Sequence, residues 1–190
     1  KTFVALCTES FTSNHAAICS VAMVKVVNSV VVQEFHSLVR PVAGKGNMLD
    51  TFLSVFGGNK YANAPEFPEV LRLMEAFAGS CKIVVYDEKE IVRVRRNCRF
   101  FGVESSNLLT NEFLDICRMP GEELEESCEC YGIKLKADCC LLDKTRACAG
   151  LYMKVGQTHR LPSDELCDGL EPFSMGKEDL YNLLPDDEIT

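Results

Sequence analysis

The residues of this chain best suited to chemistry are its eleven cysteines and three histidines, and their spacing limits what they can do. Cys128 and Cys130 are separated by a single residue and Cys139 and Cys140 are adjacent. Neither pair has the two-residue gap of a zinc knuckle. An odd number of cysteines scattered through apparent strands and helices does not read as a secreted disulfide framework. Reduced, mostly buried thiols in a cytoplasmic protein are the expectation, with zinc binding as the alternative. His15 falls in a loop, His36 at an alternating polar position of a β-branched run, and His159 in the C-terminal segment.

A second chemical feature is cationic. Residues 82–99 hold Lys82, Lys89, Arg93, Arg95, Arg96 and Arg99 against Asp87, Glu88 and Glu90. Arg95 and Arg99 are four apart on an expected helix, with Arg96 flanking them. Arg93, Arg95, Arg96 and Arg99 are therefore candidates for a groove that holds a nucleic-acid backbone through charge-assisted hydrogen bonds. The competing reading is a solvated helix face balanced by neighbouring acids. Phe100 and Phe101 are expected to pack under the helix end rather than to stack on bases.

The elements that must position these groups follow from periodicity. Phe3 to Leu6 suits a short buried strand. Two β-branched runs, 17–27 and 30–39, flank Asn28-Ser29, a tight hairpin turn. Pro41 ends the second run, and residues 42–66 read as a long loop or a loop with short helices. Val70, Leu71, Met74, Phe77 and Ala78 share a helical face that Gly79 terminates. Ile83 to Tyr86 is a further strand. Asp87 can cap the next helix, with Glu90 completing a capping box. Phe113 to Cys117 reads as a strand, 122–130 as a helix and 138–155 as the last helix. Three leading strands followed by strand–helix alternation predict an α/β domain, a mixed sheet flanked by helices.

Composition bounds the function classes. A hydrophobic fraction of 47% and a charged fraction of 25% are ordinary for a globular domain. No apolar run approaches the roughly 20 residues needed to cross a bilayer, and neither a signal peptide nor a membrane partner is expected. The chain opens on Lys1, and further protein on either side stays open. The net charge of −8 belongs to the segment from Asp164 onward, which has nine acidic residues and one basic. The part before it is balanced and lacks the basic field of a dedicated nucleic-acid binder. The expected organisation is a domain over 1–155 and an acidic tail over 156–190, docked or partly disordered.

Four stretches in order resemble the DEDDh 3′–5′ exonuclease family, which includes the proofreading epsilon subunit of bacterial DNA polymerase and has a ribonuclease H-like fold. They are FVALCTESF (3–11), ICSVAMVKVVNSVVVQEFHSLVRP (18–41), NAPEFPEVLRLMEAF (63–77) and YGIKLKADCCLLDKTRACAGLYMKV (131–155). The resemblance implies a two-metal mechanism: four carboxylates hold two divalent cations, and a histidine on the last helix acts as general base.

Carried over residue by residue, that chemistry is mostly missing. The Asp-x-Glu motif falls on Cys7 and Glu9, so Glu9 is the sole remaining acid. The second aspartate falls on Ile91. The His-x-x-x-x-Asp motif falls on Cys139 and Lys144. Glu90 and Asp143 are neighbours of these positions, but one residue along a helix turns a side chain by about 100°, so both are expected to point away. The pocket is then formally neutral, with Lys144 pairing with Glu9 in place of a metal. Cys7 and Cys139 should lie near one another, as apolar fillers or as a zinc or redox pair.

The expected function is that of an exonuclease-fold domain which has lost metal-dependent activity, needs no cofactor, and binds single-stranded nucleic acid or a protein partner. The alternative is an active exonuclease on DNA or RNA with a rearranged site that uses magnesium or manganese. Whether the protein is an enzyme, and its oligomeric state, are left open by the sequence.

Overall fold

A computed structural model of the chain describes residues 1–10, 18–40, 59–116, 123–136, 138–155 and 159–160. The sheet is built from β1 (Thr2–Ser10), β2 (Ile18–Val27), β3 (Val30–Leu38), β4 (Lys82–Val85), β5 (Phe113–Asp115) and β6 (His159–Arg160). Its helices are α1 (Asn59–Ala62), α2 (Phe67–Ala78), α3 (Lys89–Phe100), α4 (Leu124–Cys130) and α5 (Leu141–Val155), with a 3₁₀ turn at Leu108–Thr110. The strand order is β3-β2-β1-β4-β5-β6. β1 runs antiparallel to β2 and parallel to β4, so the sheet is mixed, as the element order predicts.

The central strands are apolar on both faces because helices cover both sides. Phe3, Ala5 and Cys7 of β1 join Val84, Leu124, Cys148, Leu151 and Tyr152 in the cluster beneath α4 and α5. Val4 and Leu6 point the other way, into Phe67, Val70, Met74, Ile83, Ile91 and Val94 beneath α2 and α3. Burying Phe67, Val70, Leu71, Met74 and Ala78 of α2 contributes on the order of 10 kcal/mol before chain entropy is charged against it.

Local choices agree with this architecture. Asn28 and Ser29 take φ of 49° and 65°, the left-handed pair of a type I′ hairpin. Gly79 closes α2 at φ 56°. Phe101 stacks on Phe67 at 6.2 Å between ring centroids, and Phe100, 38% exposed, meets Phe101 edge-on at 5.1 Å. The expected loop over 42–66 contains α1 at its end, and 41–58 lie outside the described residues.

Other boundaries shift. β1 is longer than expected because β2 pairs with it along its whole length, from Thr2↔Val27 to Ser10↔Ile18. α5 begins at Leu141 rather than Asp138, and α4 at Leu124. Within 156–190, only His159 and Arg160 are described, where they pair antiparallel with β5. Among the described residues no helix is long and apolar enough to cross a membrane.

Candidate active site

β1 outruns its parallel neighbour: the β1–β4 register ends at Ala5↔Val84, while β1 continues to Ser10. A register shift between Glu9 and Ser10 interrupts the β1–β2 ladder near this end. The crevice beyond the carboxyl ends of β1 and β4, where neighbouring connections diverge, is where open α/β sheets bind ligands. A cleft of about 280 Å³ lies here. Cys7, Thr8, Glu9 and Ser10 come to it from β1, Tyr86 from the end of β4, and Glu90 and Arg93 from α3. Leu124 and Glu125 of α4 and Leu141 and Lys144 of α5 complete the walls.

The carboxylate of Glu90 crosses to β1. Its Oε2 accepts hydrogen bonds from the Thr8 backbone N–H at 2.7 Å and from the Thr8 hydroxyl at 2.5 Å. Its Oε1 lies 3.3 Å from Arg93 Nη1. The same nitrogen donates to the Thr8 carbonyl at 3.2 Å. Burial raises the Glu90 pKa above the ordinary carboxyl range, while Arg93 and the two Thr8 donors pull against it. The Asp87 carboxylate accepts from the Lys89 N–H at 2.9 Å, but the expected capping box does not close, because Glu90 spends both oxygens on Thr8 and Arg93.

These contacts correct the expected register on α3. Ile91 is fully buried in the core on the α2 side of the sheet, and the side chain that faces the cleft is Glu90. The helix phase is set by docking Ile91, Val94 and Cys98 against that core, which turns Glu90 toward the β4-facing edge of β1 at Thr8.

Lys144 does line the cleft, but its ion pair is with Glu125, at 3.4 Å, rather than with Glu9. Partial burial opposes its charge, yet the Glu125 carboxylate outweighs that and holds the ammonium pKa above its usual value, with Glu9 a lesser contributor. Glu9 itself is exposed on the cleft wall. Beside it the Cys19 thiol donates to the Glu9 carbonyl at 3.4 Å. Burial, then the Glu9 charge, push the Cys19 pKa up to about 12, so it stays a thiol. Tyr61 of α1 titrates higher than usual through burial and through Cys19 and Glu9.

Cys7 and Cys139 line different clefts. The thiol beside Cys7 is Cys148: its hydrogen bond with Cys7 and its complete burial both hold its proton well above the ordinary thiol range. Cys139 precedes α5 and lines a separate cleft of about 310 Å³ with Ile133, Lys136, Asp143 and Arg146. Asp143 points there too, bonded to Cys140 and Arg146. Among the described residues, no group of three or more His, Cys, Asp or Glu has an arrangement that could hold a metal ion.

The four arginines of α3 do not form one stripe. Arg93 is turned into the cleft, Arg95 is buried, Arg96 is half-buried with no hydrogen-bond partner for its Nε among the described residues, and Arg99 is exposed. Four cleft residues were not anticipated in this role: Thr8, Glu90, Glu125 and Arg93 as a carboxylate partner. The three-residue step from Glu90 to Arg93, a favourable ion-pair spacing on a helix, was the available signal for two of them.

A mixed sheet between helical layers is the architecture of the ribonuclease H-like fold. No protein-family profile and no curated protein matches the chain by sequence. Solved exonuclease structures do match. Exonuclease X in complex with 5′-overhanging duplex DNA aligns at a TM-score of 0.55 and 15% identity, covering 82% of this chain and 94% of that one. A 3′-exonuclease that recognises the histone mRNA stem-loop aligns at 0.62 and 12% identity, over 92% of this chain and 73% of its own. E. coli exonuclease I with a dA16 oligonucleotide aligns at 0.60 and 13% identity, over 80% of this chain but only 40% of its own length. At these identities the likeness establishes the exonuclease fold.

Proposed function

We propose that this chain is an exonuclease-fold domain of the DEDDh type that has given up metal-dependent 3′–5′ hydrolysis and works as a binding module, for single-stranded nucleic acid in the first place and for a protein partner otherwise. The observation that carries this reading is Arg93, whose guanidinium sits against Thr8 and Glu90 inside the cleft. Divalent magnesium requires several free oxygen ligands close around it. Both oxygens of Glu90 are engaged, and the three cleft carboxylates Glu9, Glu90 and Glu125 face two cations, Arg93 and Lys144. The donor set does not fit a two-metal centre.

A cytoplasmic setting suits the thiols, since Cys7, Cys19, Cys98, Cys128 and Cys148 are free and buried. Support for a nucleic-acid ligand comes from the fold: matched exonuclease X and exonuclease I were solved with DNA. Filter binding of labelled single-stranded DNA and RNA, without divalent ions and at several salt concentrations, tests it. Binding that weakens steadily with salt is expected for a phosphate-contacting module. Absence of binding at low salt would remove nucleic acid as the ligand and leave the protein partner.

A second reading is favoured by one observation: Glu9, Glu90 and Glu125 line a single cleft. An exonuclease with a rearranged site, using magnesium or manganese, would have to draw on these three.

A further inference from the structure

Three oxygens of different types surround one nitrogen in the cleft. Arg93 Nη1 lies 3.2 Å from the Thr8 carbonyl oxygen, 3.5 Å from Thr8 Oγ1 and 3.3 Å from Glu90 Oε1. A carbonyl, a hydroxyl and a carboxylate are the oxygen donors that hard divalent cations collect. Here they converge on a guanidinium. An ordinary pair of residues three apart on a helix surface is solvated and touches only its own helix. This pair is shielded, with side chains 22% and 14% exposed, and it reaches across to β1 where the β1–β4 ladder has already ended.

We propose that Arg93 is a tethered counter-ion that takes the structural place of a divalent cation, locking the β4-facing edge of β1 at Thr8 to the start of α3 through Thr8 and Glu90. This rests on the reading that the cleft has lost its metals and names the side chain that makes metal unnecessary. Ionised Glu90 is shielded from water and needs a positive partner. A metal would supply one only when bound, whereas Arg93 supplies it always. The guanidinium, which stays protonated at any ordinary pH, also repels any divalent ion from the same oxygens. One residue thus offsets part of the cost of burying the carboxylate and occupies its oxygens.

The test is thermal unfolding of the full chain, wild type against Arg93→Met and the double variant Glu90→Gln/Arg93→Met, in EDTA or in manganese chloride. Wild type is expected to melt at the same temperature in both. Arg93→Met should melt about 10 °C lower in EDTA, the scale for a shielded charge left without its partner, and should recover most of that loss with manganese. The double variant, with no charge left to compensate, should melt above Arg93→Met in EDTA and ignore manganese. Wild type unmoved by manganese, with Arg93→Met melting like wild type or melting low without manganese rescue, overturns the counter-ion role and leaves the loss of metals standing. A wild-type chain stabilised by manganese overturns the loss of metals itself. If Arg93→Met does not fold, the double variant decides: a folded double variant supports the role, and an unfolded one overturns it.

Discussion

Glu90 and Thr8 are 82 residues apart in sequence, yet both the backbone N–H and the hydroxyl of Thr8 donate to the same Glu90 oxygen. A strand that has outrun its neighbour leaves amide groups without a ladder partner, and an unpaired buried amide is costly. Glu90 answers that need at Thr8, and Arg93 answers the need of Glu90. The chain of compensation runs from backbone to carboxylate to guanidinium.

Thr8→Val should isolate the hydroxyl contact, because valine keeps the β-branched shape that suits a strand. The Glu90 carboxylate would lose one of its donors. Stability should fall by about 1–2 kcal/mol, read as a shift of the urea midpoint with an unchanged slope. A midpoint equal to wild type would show that the hydroxyl contact contributes nothing.

Glu90 also sets a pH dependence of known sign. Its folded pKa is raised above the ordinary 4.5, chiefly by burial, so the folded chain holds a proton that the unfolded chain releases. Stability from this group is therefore present below pH 4.5 and lost as pH rises through the raised folded value. The stability of wild type relative to Glu90→Gln should decline over that window and then level off towards neutral pH. Denaturant midpoints of both proteins across acidic to neutral pH check this, and a rising difference would reverse the assignment.

Arg146 holds β3 to α5 through a two-pronged contact with Glu34, Nε to Oε1 and Nη2 to Oε2, both at 2.7 Å. The hydrogen bonds from Arg146 lower the Glu34 pKa. The pair is exposed, so Glu34→Ala should cost only about 0.5–1 kcal/mol. The cost should shrink in high salt. A loss of several kcal/mol in denaturant unfolding would mean that α5 depends on this clamp rather than on Cys148, Leu151 and Tyr152.

At the β2–β3 turn Ser29 carries φ of 65°, a conformation glycine adopts freely and serine does not. Ser29→Gly completes the Asn-Gly pair that type I′ hairpins favour. A gain of about 0.5 kcal/mol is expected, the strain relieved being partly offset by the entropy of a glycine. Thermal unfolding of the two proteins measures it, and a lower melting temperature would contradict the turn assignment.

What could be read from the sequence, and what could not, divides along physical lines. The order of strands and helices was legible because β-branched runs, the Asn28-Ser29 turn and the helical spacing of Val70, Leu71 and Met74 are local signals. Alternation on β1 puts Cys7 and Glu9 two residues apart on one side, and both line the cleft with Lys144 of α5. On α3 the resemblance put Ile91 rather than Glu90 at the site. A helix shows which residues share a face, but its rotation about its own axis is fixed by the core it docks on. Ile91, Val94 and Cys98 decide that rotation through residues far away in sequence. The thiol beside Cys7 was missed for a related reason, since α5 starts at Leu141 and so leaves Cys139 outside it and brings Cys148 inward.

The central claim is that the cleft does not hydrolyse phosphodiesters, and cleavage of end-labelled substrate tests it most directly. The full chain would be incubated with 3′-labelled single-stranded DNA and RNA in manganese, with Glu9→Ala run in parallel. The expected result is no release of label above the Glu9→Ala background. Release by wild type that Glu9→Ala abolishes would contradict the claim and establish a working exonuclease built on Glu9, Glu90 and Glu125.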